Sequence, residues 1–226
     1  MKRLLFSILF LLSASTAFAQ VDGNYNYSIG VRAYSLIQLP KILSQVNPQD
    51  YNDAYFNGIM LKFNDNQISL RLNGNYFRKD LSFKNQCESC EIATGKVTDY
   101  SFKVGFEKSI NYAVIQPYFG TDLGFRSSHF IGSNSSINPK SISMPYSVDT
   151  DKNGFVIAPV LGFKVNPIKQ VSFFAETSLD FYYSYERQET IQNDANNTKS
   201  FVKYNKWEFL LNPVSIGLQI HLVGRN

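Results

Sequence analysis

The sequence predicts an all-β fold, an eight-stranded antiparallel up-and-down transmembrane β-barrel. Apolar residues alternate with polar or small ones in eight separate runs, and a period of two is the signature of strands with two different faces. The connections between the runs alternate between very short and long, as is typical of barrels that cross a membrane. No apolar run after residue 20 is long enough for a membrane helix, so a chain that crosses a bilayer must close its backbone hydrogen bonds in a barrel.

The N-terminus has the three parts of a secretion signal. Lys2 and Arg3 precede the apolar run LLFSILFLL, and Ala17-Phe18-Ala19 supplies a small-residue cleavage site. We therefore expect residues 1–19 to be a signal peptide and residues 20–226 to form the barrel domain. Without Lys2 and Arg3, 20 of the 22 basic residues remain against 18 acidic ones, a net charge of +2. This small excess excludes a nucleic-acid partner.

The first four predicted strands each place apolar residues on one face and polar or small residues on the other. They span residues 27–38, 54–63, 67–77 and 98–108. Their apolar faces carry Ile29 and Val31, Ile59 and Leu61, Leu70 and Leu72, and Phe102, Val104 and Phe106. Their opposite faces carry Gly30 and Arg32, Gly58 and Lys62, Arg71 and Asn73, and Lys103, Gly105 and Glu107.

The last four predicted strands repeat this pattern. They span residues 114–126, 154–165, 171–183 and 206–223. Their apolar faces carry Phe119, Leu123 and Phe125, then Phe155, Ile157 and Leu161, then Phe173, Leu179 and Phe181, and finally Ile216, Leu218 and Ile220. The alternation of the eighth strand changes phase near Pro213. We expect a β-bulge there, because proline cannot donate a ladder hydrogen bond.

The connections predict how the strands are arranged across the membrane. Three are short, around residues 64–66, 109–111 and 166–169. Four are long, at residues 39–53, 78–97, 127–153 and 184–205. Short turns face the periplasm and long loops face outward in bacterial barrels, so an even strand number places both termini in the periplasm.

Alternation by itself also fits a soluble lipocalin-type barrel, whose apolar face points inward. The glycines distinguish the two, because an eight-stranded barrel has only a tightly filled interior and needs small residues among long ones there. Seven strand glycines lie on the polar face: Gly30, Gly58, Gly105, Gly120, Gly124, Gly162 and Gly217. This placement favours a polar interior and an apolar face directed into lipid.

On this pattern, residues from about 25 to 223 resemble the OmpA-type and PorT-like outer-membrane barrel families of Gram-negative bacteria. The resemblance implies a location in the outer membrane. It also implies outer-membrane lipid and the barrel-assembly machinery as partners, with the terminal GLQIHL stretch as an insertion signal.

The predicted lumen contains opposite charges, which must pair to be tolerated in a buried position. The candidates are Arg32, Lys62, Arg71, Lys103, Glu107, Asp122, Arg126, Lys164, Glu176 and Asp180. We favour an ion-pair plug, because eight strands leave little free bore. The alternative is a narrow channel for ions or small solutes.

Two short motifs are candidate sites in the predicted outer loops. Cys87 and Cys90 are expected to form a local disulfide, as is usual in an oxidising compartment. Asp149, Asp151 and Asn153 match the start of a calcium loop, but position twelve is Val160 instead of the bidentate Glu, so they are weak metal ligands. A polar turn leading into the sixth strand is the favoured interpretation.

The sequence predicts neither an enzyme nor a cofactor site. Ser127-Ser128-His129 invites comparison with barrel lipid hydrolases, which would be a third function, but those have the His before the Ser. Function in such scaffolds usually lies in the loops. We therefore predict a structural or adhesive role, with an unknown extracellular ligand at loops 127–153 and 184–205. The alternative for both loops is a flexible, hydrated surface without a ligand.

Overall fold

A computed structural model describes residues 26–42, 51–65, 67–84, 91–110, 113–136 and 145–222. Eight antiparallel strands follow one another around a closed barrel, and the last pairs with the first. The strands are β1 (Tyr27–Gln38), β2 (Tyr51–Asp65), β3 (Ile68–Lys84), β4 (Glu91–Ser109), β5 (Ile115–Ser136), β6 (Tyr146–Ile168), β7 (Val171–Gln192) and β8 (Lys199–Leu222). The predicted fold class is confirmed. No helix among the described residues is long and apolar enough to cross a membrane.

The barrel is polar inside and apolar outside, the reverse of a soluble protein. Inward-facing Lys62, Arg71 and Glu107 are fully enclosed, whereas outward-facing Leu161 and Phe155 are 62% and 73% exposed. Because such an apolar surface is stable only against lipid, this orientation agrees with the sequence analysis and excludes the lipocalin-type alternative.

The apolar outer face forms a band with the height of a bilayer core. On β5 it runs from Ile115 to Phe125, which at about 3.3 Å per residue and a tilt of about 40° rises roughly 25 Å. Aromatic side chains mark one border of the band, where the rings of Tyr183 and Trp207 lie 4.9 Å apart. The rings of Tyr27 and Phe63 pack edge to face at the other border, 5.6 Å apart. Such aromatic girdles are typical of the two membrane interfaces.

Six strands are longer than predicted and continue beyond the closed barrel. Pairing of β2 with β3 ends at Gly58 and Asn75, and pairing of β1 with β8 ends at Leu36 and Val214, but β3 to β8 remain paired with one another. We call this part the extension sheet; it comprises residues 78–84, 91–98, 127–136, 146–153, 184–192 and 199–205. The prediction that residues 78–97, 127–153 and 184–205 are loops is therefore wrong for most of their length.

A cluster of apolar side chains covers the inner face of the extension sheet. Leu39 and Ile42, which follow β1, pack into this cluster with Phe130 and the inward-facing residues around it. We call it the cap cluster; its buried members are Leu39, Ile42, Ala54, Phe77, Ala93, Val97, Phe130 and Val148. It lies at the end of the lumen where the extension sheet begins, so the inner surface changes there from charged to apolar.

The connection between β7 and β8, at residues 193–198, is a turn held by several hydrogen bonds. The Asp194 carboxylate accepts hydrogen bonds from the Thr198 backbone amide at 2.9 Å and from the Thr198 hydroxyl at 2.6 Å. Asn197 has a positive φ of 48°, a conformation that asparagine tolerates better than most residues. These contacts join the two strands through a compact hairpin.

Two bulges adjust the register on either side of the seam that closes the barrel. The pairing of β7 with β8 shifts between Glu176 and Ser178, opposite Pro213. The β-bulge predicted at Pro213 is therefore confirmed. A second shift lies between Arg32 and Tyr34 of β1, where the sequence analysis predicted no irregularity.

Replacing Leu161 by Arg tests the lipid-facing band. Leu161 lies near the middle of the band on β6, and a cation there should lower the free energy of unfolding by about 2–4 kcal/mol. The control is Ile131→Arg, at a similarly exposed outward position (54%) on the extension sheet, where we expect a change within about 0.5 kcal/mol. Urea unfolding in lipid vesicles measures both, and equal losses would contradict the position of the band.

The turn between β7 and β8 predicts a pH dependence. Hydrogen bonds from the Thr198 hydroxyl and backbone lower the pKa of Asp194 below its usual value. The carboxylate therefore stabilises the turn at every pH above its ordinary pKa of about 3.9, and this contribution is lost as pH falls through the lowered folded pKa. In an NMR titration, the Thr198 amide shift should have a midpoint below about 3.9, the ordinary value, and Thr198→Val should move it upward. A midpoint at or above the ordinary value in the unmodified protein would contradict this account.

Candidate functional site

The lumen is the most strongly charged interior region in the part of the chain that the structure describes. All ten residues selected from the sequence point into it, and each is at most 7% exposed. The structure adds four that the sequence analysis missed: Asp99, Lys152, Glu186 and Glu208. The fourteen side chains comprise seven cations and seven anions, so the buried charges of the described residues balance.

Glu107 is the centre of the first charge cluster. Its carboxylate contacts Lys62 Nζ at 2.6 Å, Lys164 Nζ at 2.7 Å and Arg71 Nη1 at 3.3 Å. These cations come from β2, β6 and β3, whereas Glu107 lies on β4. Both lysine ammonium groups also lie about 5 Å from the centre of the Tyr118 ring, at 5.3 and 5.2 Å. The cluster therefore ties four of the eight strands together across the lumen.

The second cluster is built around Arg71 and Glu176. The Arg71 guanidinium contacts Asp122 at 3.0 Å and Glu176 at 3.1 Å. Glu176 also pairs with Arg32 at 2.6 Å and accepts a hydrogen bond from the Tyr118 hydroxyl at 3.0 Å. Because Arg71 and Glu176 reach from opposite walls, their side chains occupy the middle of the bore.

The third cluster lies nearer the extension sheet. Asp180 contacts Lys103 at 2.6 Å and Arg126 at 3.2 Å, and Arg126 also pairs with Asp99 at 3.0 Å. A cavity of about 60 Å³ is lined by residues of the second and third clusters, enough for a few water molecules. The lumen thus contains a small polar cavity between layers of paired charges.

Lys152, Glu186 and Glu208 form a fourth cluster close to the cap cluster. Lys152 Nζ lies 3.0 Å from Glu186 and 3.1 Å from Glu208. Between this cluster and the third, Tyr182 packs with two apolar side chains, Val156 and Leu210. The Tyr182 hydroxyl donates to the backbone carbonyls of Arg126 and Lys152, at 3.1 and 3.0 Å. Apolar layers therefore enclose this cluster on both sides.

The glycines of the polar face make room for bulky side chains in this narrow lumen. A Cβ atom at Gly162 would overlap the Tyr118 ring, and one at Gly217 would overlap the Phe174 ring. Both aromatic side chains are almost fully buried. Glycine is therefore required here for space, in agreement with the argument that placed the polar face inside.

The four missed charges had a signal in the sequence. Asp99 has the same parity as Lys103, Lys152 the same as Lys164, and Glu186 the same as Asp180. Glu208 has the same parity as Leu210, which is also inward-facing. Extending the alternation of these strands into the predicted loops would have placed Lys152 and Glu186 in the lumen.

The calcium-loop interpretation of Asp149, Asp151 and Asn153 is wrong in its geometry. These residues lie on the regular strand β6, and the turn predicted there does not exist. At about 3.3 Å per residue along a strand, Asn153 lies about 13 Å from Asp149, so the three side chains do not surround one ion as they do in a loop. His129 of β5, however, lies beside Asp149, with its Nε2 atom 2.9 Å from the carboxylate.

Ser128 and His129 do not form a hydrolase-like pair of neighbours. Ser128 is buried on the inward face of β5, whereas His129 lies on the outward face. A strand directs consecutive side chains to opposite faces, so the Ser128 hydroxyl and the His129 imidazole lie on opposite sides of the sheet.

Two predictions concern residues outside the described ranges. The disulfide between Cys87 and Cys90 falls in residues 85–90, and the signal peptide falls in residues 1–25. Both stay predictions, as does the division of the chain at residue 19.

Comparisons with known proteins support no family assignment. The chain matches no protein-family model and none of the curated proteins compared with it. Among solved structures, it is similar to a major outer membrane protein from Thermus thermophilus, with 11% identity and a TM-score of 0.49 over 87% of this chain and 98% of that one. It is also similar to Ail, the attachment invasion locus protein of Yersinia pestis, with 12% identity and a TM-score of 0.41 over 87% and 99%. Neither similarity transfers a function.

Glu107→Gln tests the charge network. The substitution keeps the shape of the side chain but leaves Lys62, Lys164 and part of Arg71 without their central anion. Removing one member of a buried ion pair costs about 3–5 kcal/mol, and urea unfolding in lipid vesicles would measure the loss. The control is Glu189→Gln, which removes only longer contacts, to Lys199 at 3.6 Å and Arg187 at 3.8 Å, and should cost less than about 1 kcal/mol. Similar losses in the two variants would show that the network contributes no special stability.

Proposed function

We propose that the protein is a non-conducting outer-membrane barrel that holds the extension sheet outside the cell as a binding surface. The observation that carries the proposal is the continuity of six strands, which form the barrel wall and then extend beyond it. A ligand-binding surface built on such strands is held in place by the closed barrel, so it can recognise a partner without ordering a loop first.

The direction of insertion follows from the two ends of the barrel. The short connections between β2 and β3, β4 and β5, and β6 and β7 lie at the end opposite the extension sheet. Tyr27 of β1 pairs with Leu222 of β8 at that same end. The start of β1 and the end of β8 therefore both lie there. Since short turns face the periplasm in bacterial barrels, we infer that the extension sheet lies outside and both termini lie in the periplasm.

The outward face of the extension sheet has the mixed chemistry of a recognition surface. Polar and charged residues dominate it, and large apolar side chains stand among them. The exposed apolar members include Ile131, Tyr185 and Phe201. Aromatic and apolar anchors in a polar surround are common in protein interfaces, and the polar residues equally suit a polysaccharide.

The contents of the lumen argue against the channel alternative. A permeating ion would have to pass Arg71 and Glu176, which meet in the middle of the bore at 3.1 Å. It would then meet the Tyr182 layer and the cap cluster, whose mainly apolar side chains replace little of its hydration shell. A charge in such surroundings has a high energy, so conduction would require these layers to move apart.

Conductance and cell-surface binding test this proposal together. In a planar bilayer, the unmodified mature protein should show no stable open channel, because the charge layers and the cap cluster fill the bore. Stable single-channel currents at moderate voltage would overturn the non-conducting part of the proposal and favour the channel.

A truncated variant tests the binding part. Replacing residues 189–201 by Asn-Gly should keep Gln188 paired with Val202 across a two-residue hairpin and leaves every member of the cap cluster in place. Cells that display either protein are compared for adherence to immobilised matrix proteins and polysaccharides, with heat-modifiable gel migration as the control for folding. We expect adherence with the full chain and its loss with the folded variant. Equal adherence would contradict binding through this hairpin, and no adherence by either protein would contradict an adhesive role.

A further inference from the structure

Three side chains with metal-ligating atoms meet on the outward face of the extension sheet. His129 of β5 pairs directly with Asp151 of β6, and Asp149 lies two residues along the same face. The imidazole Nε2 atom is 2.9 Å from Asp149 Oδ1 and 3.7 Å from Asp151 Oδ1. One ligand atom from each of the three residues lies within 4.8 Å of the others. The strand register therefore brings together residues that are 20 positions apart in the sequence.

The spacing of these atoms fits one metal ion. Ligands at about 2.0–2.2 Å from a zinc-like ion stand roughly 3–3.5 Å from each other. The two distances from the imidazole bracket that range, and all three atoms lie within 4.8 Å of one another, so side-chain rotations would bring them to a common centre. Their side chains are 38–51% exposed, and solvent can therefore supply the remaining ligands.

The surrounding charges leave the two carboxylates available to a cation. Arg187 of β7 pairs across the sheet with Asp151, but its guanidinium lies 5.7 Å over the Phe201 ring and 3.8 Å from Glu189. Lys199 also contacts Glu189, at 3.6 Å. Arg187 and Lys199 are thus directed toward Glu189. The negative charge of the Asp149 and Asp151 carboxylates beside the imidazole is therefore only partly compensated.

We propose that His129, Asp149 and Asp151 form a binding site for a divalent transition-metal ion of the zinc type. One imidazole nitrogen with two carboxylate oxygens suits zinc and its neighbours, whereas calcium and magnesium prefer ligand sets made of oxygen alone. Three protein ligands leave at least one coordination position open to water. The site differs from the calcium-loop hypothesis in its ion, in its use of His129 and in its independence of Asn153.

Metal titration of the mature protein in detergent micelles tests the site. The protein carries no affinity tag, is first stripped with a chelator, and has Cys87→Ser and Cys90→Ser so that no thiol contributes. Co²⁺ is followed by its visible absorption, and Zn²⁺ by competition with a chromophoric chelator. We expect one ion per chain, with binding at least about tenfold weaker in His129→Asn and in Asp149→Asn.

The matched control is Asn153→Ser, which changes an exposed outward residue of the same strand without touching the three ligands; its affinity should be unchanged. Heat-modifiable migration establishes that each variant is folded. Absence of stoichiometric binding would show that the three residues form only an ionic contact and would overturn the proposal. Unchanged affinity in both ligand variants, or competition by Ca²⁺ as effective as that by Zn²⁺, would overturn it as well.

Discussion

The closed backbone ladder is the constraint on which the other features of the molecule depend. Lipid offers no partner for a free N–H or C=O group, so a membrane-crossing sheet must return to its first strand, as β8 does to β1. Closure at eight strands fixes a narrow lumen. Such a lumen must be filled by side chains, and their buried charges must cancel. Glycine is required in the wall where the Tyr118 and Phe174 rings lie against it, because a Cβ atom there would overlap them.

Within the lumen, the first two charge clusters are joined through a shared side chain. Arg71 contacts Glu107, Asp122 and Glu176, so it links the first cluster to the second. The equality of seven buried cations and seven buried anions among the described residues is a consequence of burial, because an unpaired charge in this position would be strongly destabilising. A balanced, cross-linked network also resists the passage of a single ion, since no member can leave without stranding another.

The sequence predicted the membrane-spanning part of the fold well, and the ten lumen charges derived from it all point inward. The sequence was less informative about where strands end. The predicted limits at residues 98, 126 and 154 are not strand ends, because β4, β5 and β6 run on to Glu91, Ser136 and Tyr146. Pairing with the neighbouring strands decides this extent, and a period-two search in one strand does not detect it. The proximity of His129 to Asp149 and Asp151 likewise depends on the register between β5 and β6.

Those misplaced limits have a physical cause. Along β4, the inward positions change from Lys103 and Asp99 to Val97, while the outward positions change from Phe102 to Thr98 and Lys96. β5 and β6 change in the same way, with Phe130 and Val148 inward and His129 and Asp149 outward. Apolar residues therefore exchange faces where the surroundings of the sheet change from lipid to water, because in water the apolar side must be enclosed. The alternation that marks a strand is interrupted by this exchange although the backbone continues, so the apparent strand ends mark the membrane border.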